Sequence, residues 1–89
     1  MIVHIPSPLR SYTNQARTVE VDGDTVQAVL SRMDTMYPGF RFRMIDEQEN
    51  IRPHIKIFVD RKQISDLDTA TQSADTMHII CALSGGLQG

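Results

Sequence analysis

Apolar residues recur along the chain with two periods. Val3 and Ile5 alternate with His4, and Pro6 and Pro8 then withhold the amide donors that a ladder needs, so a short opening strand is predicted. Val19 and Val21 share one face of a second run, with Thr18 and Glu20 on the other, and Asp22-Gly23-Asp24 has the composition of a turn. The period then changes. Val26, Val29, Leu30, Met33 and Tyr37 form one stripe of a 3.6-residue helix, which Met36 widens, with Gln27, Ser31, Arg32, Asp34 and Thr35 opposite. Asp24 with Gln27 three residues on has the form of a capping box, Thr25 being the alternative cap, and Pro38-Gly39 stops the helix.

Beyond it, Phe40, Phe42, Met44 and Ile45 are interleaved with charges, which predicts at most one helical turn before a solvated loop at 46–50. Alternation returns over 54–59: Ile55, Ile57 and Val59 take one face, and His54, Lys56 and Phe58 the other. Asp60-Arg61-Lys62 turns the chain into a short return at Gln63-Ile64. Residues 67–76 are polar and turn-rich, and 77–83 are nearly all apolar, as in a central strand. The order is β-β-α-β-β-β. With an antiparallel first hairpin and the last strand lying parallel beside the first, it predicts a two-layer α+β fold of β-grasp type. Its sheet is mixed, of four to five strands, with one long helix packed across it.

Eighty-nine residues suit one domain, expected over 1–83, followed by a tail over 84–89. A fold of this size hides only about 60–65% of the surface of its unfolded chain, which leaves little room for an enclosed active site. Apolar residues at 40% and charged residues at 22% are the proportions of an ordered soluble domain. Nine basic against eleven acidic residues gain little from counterion release, so nucleic acid is not expected as a partner. No apolar run approaches 18 residues, so no membrane span is expected. Met1-Ile2-Val3-His4-Ile5-Pro6 lacks the pattern of a signal peptide. The single cysteine, Cys81, excludes an internal disulfide and a thiolate cluster, and a reducing cytoplasm fits that count.

Candidate chemistry is sparse. His4, His54 and His78 alternate with apolar residues on strands, which places them on the outer sheet face as solvated or cross-strand side chains. No acidic or further histidine partners stand at metal-ligand spacing, so no metal site is expected. Cys81 shares phase with Met77 and Ile79 and reads as a small buried hydrophobe rather than a nucleophile. Asp22, Asp24, Asp66, Asp68 and Asp75 sit where turns and caps use them. Arg41 and Arg43 make a small basic spot with the character of a solvated face. There is no phosphate loop, nucleophile elbow or triad, and no catalytic residue is assigned.

Two features remain. Phe58 and Ile80 fall on the face opposite the core phase, with Leu83 at their edge, and such an apolar cluster favours docking over a chance patch. The tail Ser84-Gly85-Gly86-Leu87-Gln88-Gly89 has the composition of a frayed end. Yet a central strand running into Gly85-Gly86 also makes the thinnest possible rod. Six extended residues reach up to about 20 Å, enough to thread a narrow tunnel into another protein.

These residues together carry a family likeness. Val3-His4-Ile5-Pro6-Ser7-Pro8-Leu9-Arg10, Asp22-Gly23-Asp24-Thr25-Val26 with the helix and Tyr37-Pro38-Gly39, and Ile57-Phe58-Val59-Asp60 follow one another in order. Leu67-Asp68-Thr69, Ala74-Asp75-Thr76-Met77-His78-Ile79-Ile80 and finally Ser84-Gly85-Gly86 complete the series. In that order and spacing the chain resembles the MoaD/ThiS group of ubiquitin-like sulfur-carrier proteins over almost its whole length. It looks closest to the carriers of cysteine synthesis and of thiocarboxylate-containing siderophore synthesis. Ala74 departs from a frequent Gly, and Leu87-Gln88-Gly89 departs from a chain that ends at the second glycine.

The resemblance implies a precursor that is not itself an enzyme and binds no cofactor. A JAMM-type zinc protease would cut between Gly86 and Leu87. An E1-like adenylating enzyme would then use ATP and a sulfur source to convert the Gly86 carboxylate to a thiocarboxylate, for a sulfur-accepting biosynthetic enzyme. Ser84, Gly85 and Gly86 would thread partner active sites, and Phe58, Ile80 and Leu83 would be the grip. The alternatives are a ubiquitin-like modifier conjugated through Gly86 and a plain interaction module with an inert tail.

Overall fold

The structure, a computed structural model, describes residues 1–82. Five strands make one mixed sheet: β1 (Ile2–His4), β2 (Thr18–Glu20), β3 (Ile55–Val59), β4 (Lys62–Ile64) and β5 (Thr76–Cys81), in the order β2-β1-β5-β3-β4. β1 pairs antiparallel with β2 and parallel with β5, and β5 runs antiparallel to β3. The expected α+β architecture and the parallel central pair are therefore present. β5 has a strand on each flank, so its inward residues Met77 and Ile79 are almost wholly buried.

The helix α1 (Val26–Met36) is three turns long and sets Val26, Val29, Leu30 and Met33 into the same core as the inward residues of the sheet. Its cap is Thr25, whose Oγ1 accepts from the Ala28 amide at 3.1 Å. The Asp24–Gln27 box does not form. The Asp24 carbonyl accepts instead from the Thr71 amide at 2.9 Å, and the Gln27 Oε1 accepts from Arg41. Met36 does not widen the buried stripe. It is 49% exposed, because the helix ends there and Tyr37 is already its C-cap. Gly39 follows at φ 93°, the left-handed conformation that glycine adopts without strain.

Two 3₁₀ segments frame the core. Arg41–Arg43 is the single turn expected after the helix, and it lies between Phe40, Met44 and Ile45, all fully buried. Ser7–Thr13, where the sequence shows only that the prolines stop a strand, is the other. It buries Leu9 and Thr13, and the Thr13 hydroxyl is satisfied by the Arg10 and Ala16 carbonyls. Asn14 and Gln15, both at positive φ, end it. Arg41, read as part of a solvated basic spot, is instead a brace: its Nη2 meets Glu49 Oε1 at 2.7 Å, and its Nε donates to Gln27 Oε1 at 3.2 Å. Ala74 is not among the residues with positive φ, so the turn before β5 needs no glycine there.

A candidate docking face at the root of the C-terminal segment

The 3.6-residue stripe of α1 covers one side of the sheet, and no other helix among the described residues covers the other. Alternation then fixes which residues that outer side shows. Strand registers place Thr18, His4, His78, Phe58 and Gln63 in one row across the five strands. Ile80 lies opposite Lys56 in the next row toward the end of β5. Ile2 lies between Glu20 and Thr76 in the row on the other side. Ile80 is 46% exposed and Ile2 36%, and Phe58 is half-buried.

Phe58 and Ile80 thus share the outer face on adjacent strands, Phe58 opposite His78 and Ile80 one step diagonally from it. Leu83, the third residue expected in this patch, lies outside the described residues, as do Ser84, Gly85, Gly86 and Leu87. The ladder persists to the last described residue, where the Ala82 amide donates to the His54 carbonyl at 2.7 Å. The outer face and the last described residue therefore belong to one hydrogen-bonded ladder.

His4 and His78, register partners on the parallel pair, stack with ring centroids 4.1 Å apart and planes 6° from parallel. Partial burial, and secondarily the charge His78 would carry, lower the His4 pKa from its ordinary 6.5. His54 is not on a strand. It sits exposed in the turn before β3, because Pro53 precedes it and pairing starts at Ile55. Cys81 is half-buried rather than buried, as it closes β5 where the core thins. It shares a shallow notch with His54, Phe42, Arg43 and Arg52. Arg52 roofs that notch, with its guanidinium 4.6 Å from the centre of the Phe42 ring and its Nε donating to the Phe42 carbonyl at 2.8 Å.

The start of β5 is pinned by Asp60, which occupies the β3–β4 turn at φ 53°. Its Oδ1 accepts from the amides of Asp75 at 3.0 Å and Thr76 at 3.1 Å. The Thr76 amide first, and the Asp75 amide with it, hold this carboxyl below its usual range. Of the other turn aspartates, Asp66 has the turn duty expected of it and Asp22 a different one. Asp22 pairs with the N-terminal ammonium at 3.1 Å, and Asp66 Oδ1 accepts from the Asp68 amide at 2.9 Å. Among the described residues no three His, Cys, Asp or Glu side chains come together as metal ligands, and no helix is long and apolar enough to cross a membrane.

Known proteins share this arrangement. The model of the ThiS family matches residues 3–86. The sulfur carrier protein CysO of Mycobacterium tuberculosis is 32% identical over 89 residues, covering 94% of this chain and 96% of that protein. The crystal structure of that CysO, described as an antigen, superposes with a TM-score of 0.85 at 29% identity, over 92% of this chain and 98% of the other. A chain of the Amycolatopsis orientalis BexX/CysO complex gives 0.87 at 27% identity, over 96% and 98%. SAMP1 from Haloferax volcanii gives 0.75 at 26% identity, over 97% and 98%.

Proposed function

The chain belongs to the ThiS family, and from that premise we propose that it is a CysO-like sulfur carrier whose Gly86, once freed, is the sulfur-bearing residue. Its relatives are carriers rather than catalysts, so the work of this fold is presentation, and the chain is not itself an enzyme. The observation that carries the reading is where the family match stops: at residue 86, the second glycine of Gly85-Gly86, with Leu87-Gln88-Gly89 left over.

The chemistry follows from that position. An internal Gly86 has no carboxylate to activate, and hydrolysis of the Gly86–Leu87 bond supplies one. Metal-activated water suits the task, which is why a JAMM-type zinc protease is the proposed processing partner. The new carboxylate has a pKa near 3.5 and is ionised at neutral pH, so a sulfur nucleophile attacks it poorly. An E1-like partner joins it to AMP from ATP, releasing pyrophosphate. Sulfide then attacks the acyl carbon, AMP leaves, and Gly86 carries a thiocarboxylate for a sulfur-accepting biosynthetic enzyme of the cysteine or siderophore type. Ser84, Gly85 and Gly86 enter the partner's active site, while Phe58, Ile80 and Leu83 are gripped outside it. The existence of a complex containing the related CysO chain supports the expectation of a partner. ATP and the sulfur source belong to that partner, so the carrier itself needs no bound cofactor.

Mass spectrometry tests the reading. Chains ending at Gly86 and at Gly89 are incubated with the adenylating enzyme, ATP and sulfide. The trimmed chain is expected to exchange one oxygen for sulfur and the longer chain to stay unchanged. Equal conversion of both would overturn the precursor, and conversion of neither would overturn the carrier. The likeness to SAMP1, a small archaeal modifier protein by name, favours one second reading, conjugation through Gly86 to lysines of other proteins. A ladder of heavier species in cell extract, lost with Gly86→Ala, would establish it.

A further inference from the structure

The middle of the outer sheet face is held by two ionisable rings. His4 and His78 stack at 4.1 Å across the parallel pair, with Phe58 beside His78 on β3 and Thr18 beside His4 on β2. Among the described residues neither imidazole has a hydrogen-bonded or ion-paired carboxylate. The neighbouring strands add one charge of each sign to this face. Lys56 comes from β3, one row away opposite Ile80, and Glu20 from β2, one row away opposite Ile2. β4 contributes the neutral Gln63. Asp60, at the β3–β4 turn, has its Oδ1 occupied by the Asp75 and Thr76 amides.

We propose that the His4–His78 stack is a proton-controlled element of the docking face, which seats the adenylating partner while both rings are neutral and releases it when either ring takes a proton. The inference rests on the docking reading given above. Two neutral imidazoles in parallel contact present a flat, weakly polar platform continuous with Phe58 and Ile80. A proton on one ring makes a cation that a partner must desolvate on covering the face. A second proton sets like charges in contact and drives the rings apart. Lys56 adds to that repulsion, and Glu20 is the sole carboxylate on the strands available to offset it. Partial burial of His4 acts in the same direction, lowering its pKa from the ordinary 6.5, so this ring is neutral at pH 7.5.

The sign is fixed. Protons compete with the partner for the free carrier, so affinity is complete while both rings are neutral and falls by up to about tenfold per pH unit once protonation sets in. Two measurements on the full chain test this. Ring-proton NMR of the free protein is expected to show His4 titrating below 6.5 and moving upward when His78→Phe keeps an aromatic neighbour but removes its charge. An unmoved His4 titration overturns the coupling, whatever the partner does. Calorimetry with the adenylating enzyme from pH 7.5 to 5.5 is expected to show steep loss for the natural chain and a flat profile for the doubly substituted H4F/H78F chain. Identical profiles overturn the proton control while leaving docking intact. Absence of binding by either chain at every pH overturns the docking reading and the control with it. Circular dichroism at each pH verifies that both chains are folded throughout.

Discussion

Gly23 lies against the backbone of Val29: a Cβ at residue 23 would fall 2.8 Å from the Val29 nitrogen and 2.9 Å from its Cγ2. The turn that leads out of β2 is thereby pressed onto the first turn of α1. The same glycine's carbonyl accepts from the buried Thr71 hydroxyl, which ties loop, helix and the approach to β5 together. Because the nearest obstacle is main chain, rotating the Val29 side chain does not clear it. Gly23→Ala is expected to destabilise the fold by about 2–3 kcal/mol, a large part of the stability of a domain this small. Denaturant unfolding measures it, and a loss under about 0.5 kcal/mol would contradict the close approach.

Asp60 gives a pH signature. Its pKa lies below the ordinary 3.8 in the folded chain, so its contribution is complete above that value and is lost as pH falls through the folded pKa. Asp60→Asn keeps an acceptor oxygen and tolerates the left-handed backbone but removes the charge. The variant is expected to melt below the natural chain at pH 7. The gap should narrow as both are titrated from pH 5 to pH 2, and a gap independent of pH would remove the carboxylate from the account.

Ile80 is the position at which docking and folding separate. Being 46% exposed and outward, Ile80→Asp is expected to change stability by less than about 1 kcal/mol. It is also expected to cut thiocarboxylate formation on the trimmed chain at least tenfold, about 1.4 kcal/mol of lost partner affinity. Phe58→Asp is expected to block activation too, but Phe58 is half-buried, so its melting curve shifts as well. Normal activation of Ile80→Asp with an unchanged melting curve would take the patch out of the mechanism.

The elements with a sustained period were legible in the sequence: the stripe Val26, Val29, Leu30 and Met33, and the alternation of Ile55, Ile57 and Val59, stand in the structure as expected. So does the central place of Met77 and Ile79, because a strand covered on one face by a helix and flanked on both sides must be apolar. What was missed lies where period gives no signal. Ser7–Thr13 is a 3₁₀ segment with no sustained repeat, and Phe40, Met44 and Ile45 are buried by chain closure rather than by a pattern. The cap went to Thr25 because its extended backbone aims Oγ1 at the Ala28 amide, while Asp24 faces the Thr71 loop. On the docking face, the outward phase of Phe58 and Ile80 followed from alternation. The stacking of His4 on His78 did not, since it depends on the register between the first and last strands.

β5 fills the gap between β1 and β3, and it is the last strand to be made. The hairpin of β1 and β2 and the hairpin of β3 and β4 share no strand pairing with each other, and Thr76–Cys81 is what joins them into one sheet. A chain that stopped short of Thr76 would leave the facing edges of β1 and β3 without a partner, so one strand decides whether the sheet is whole.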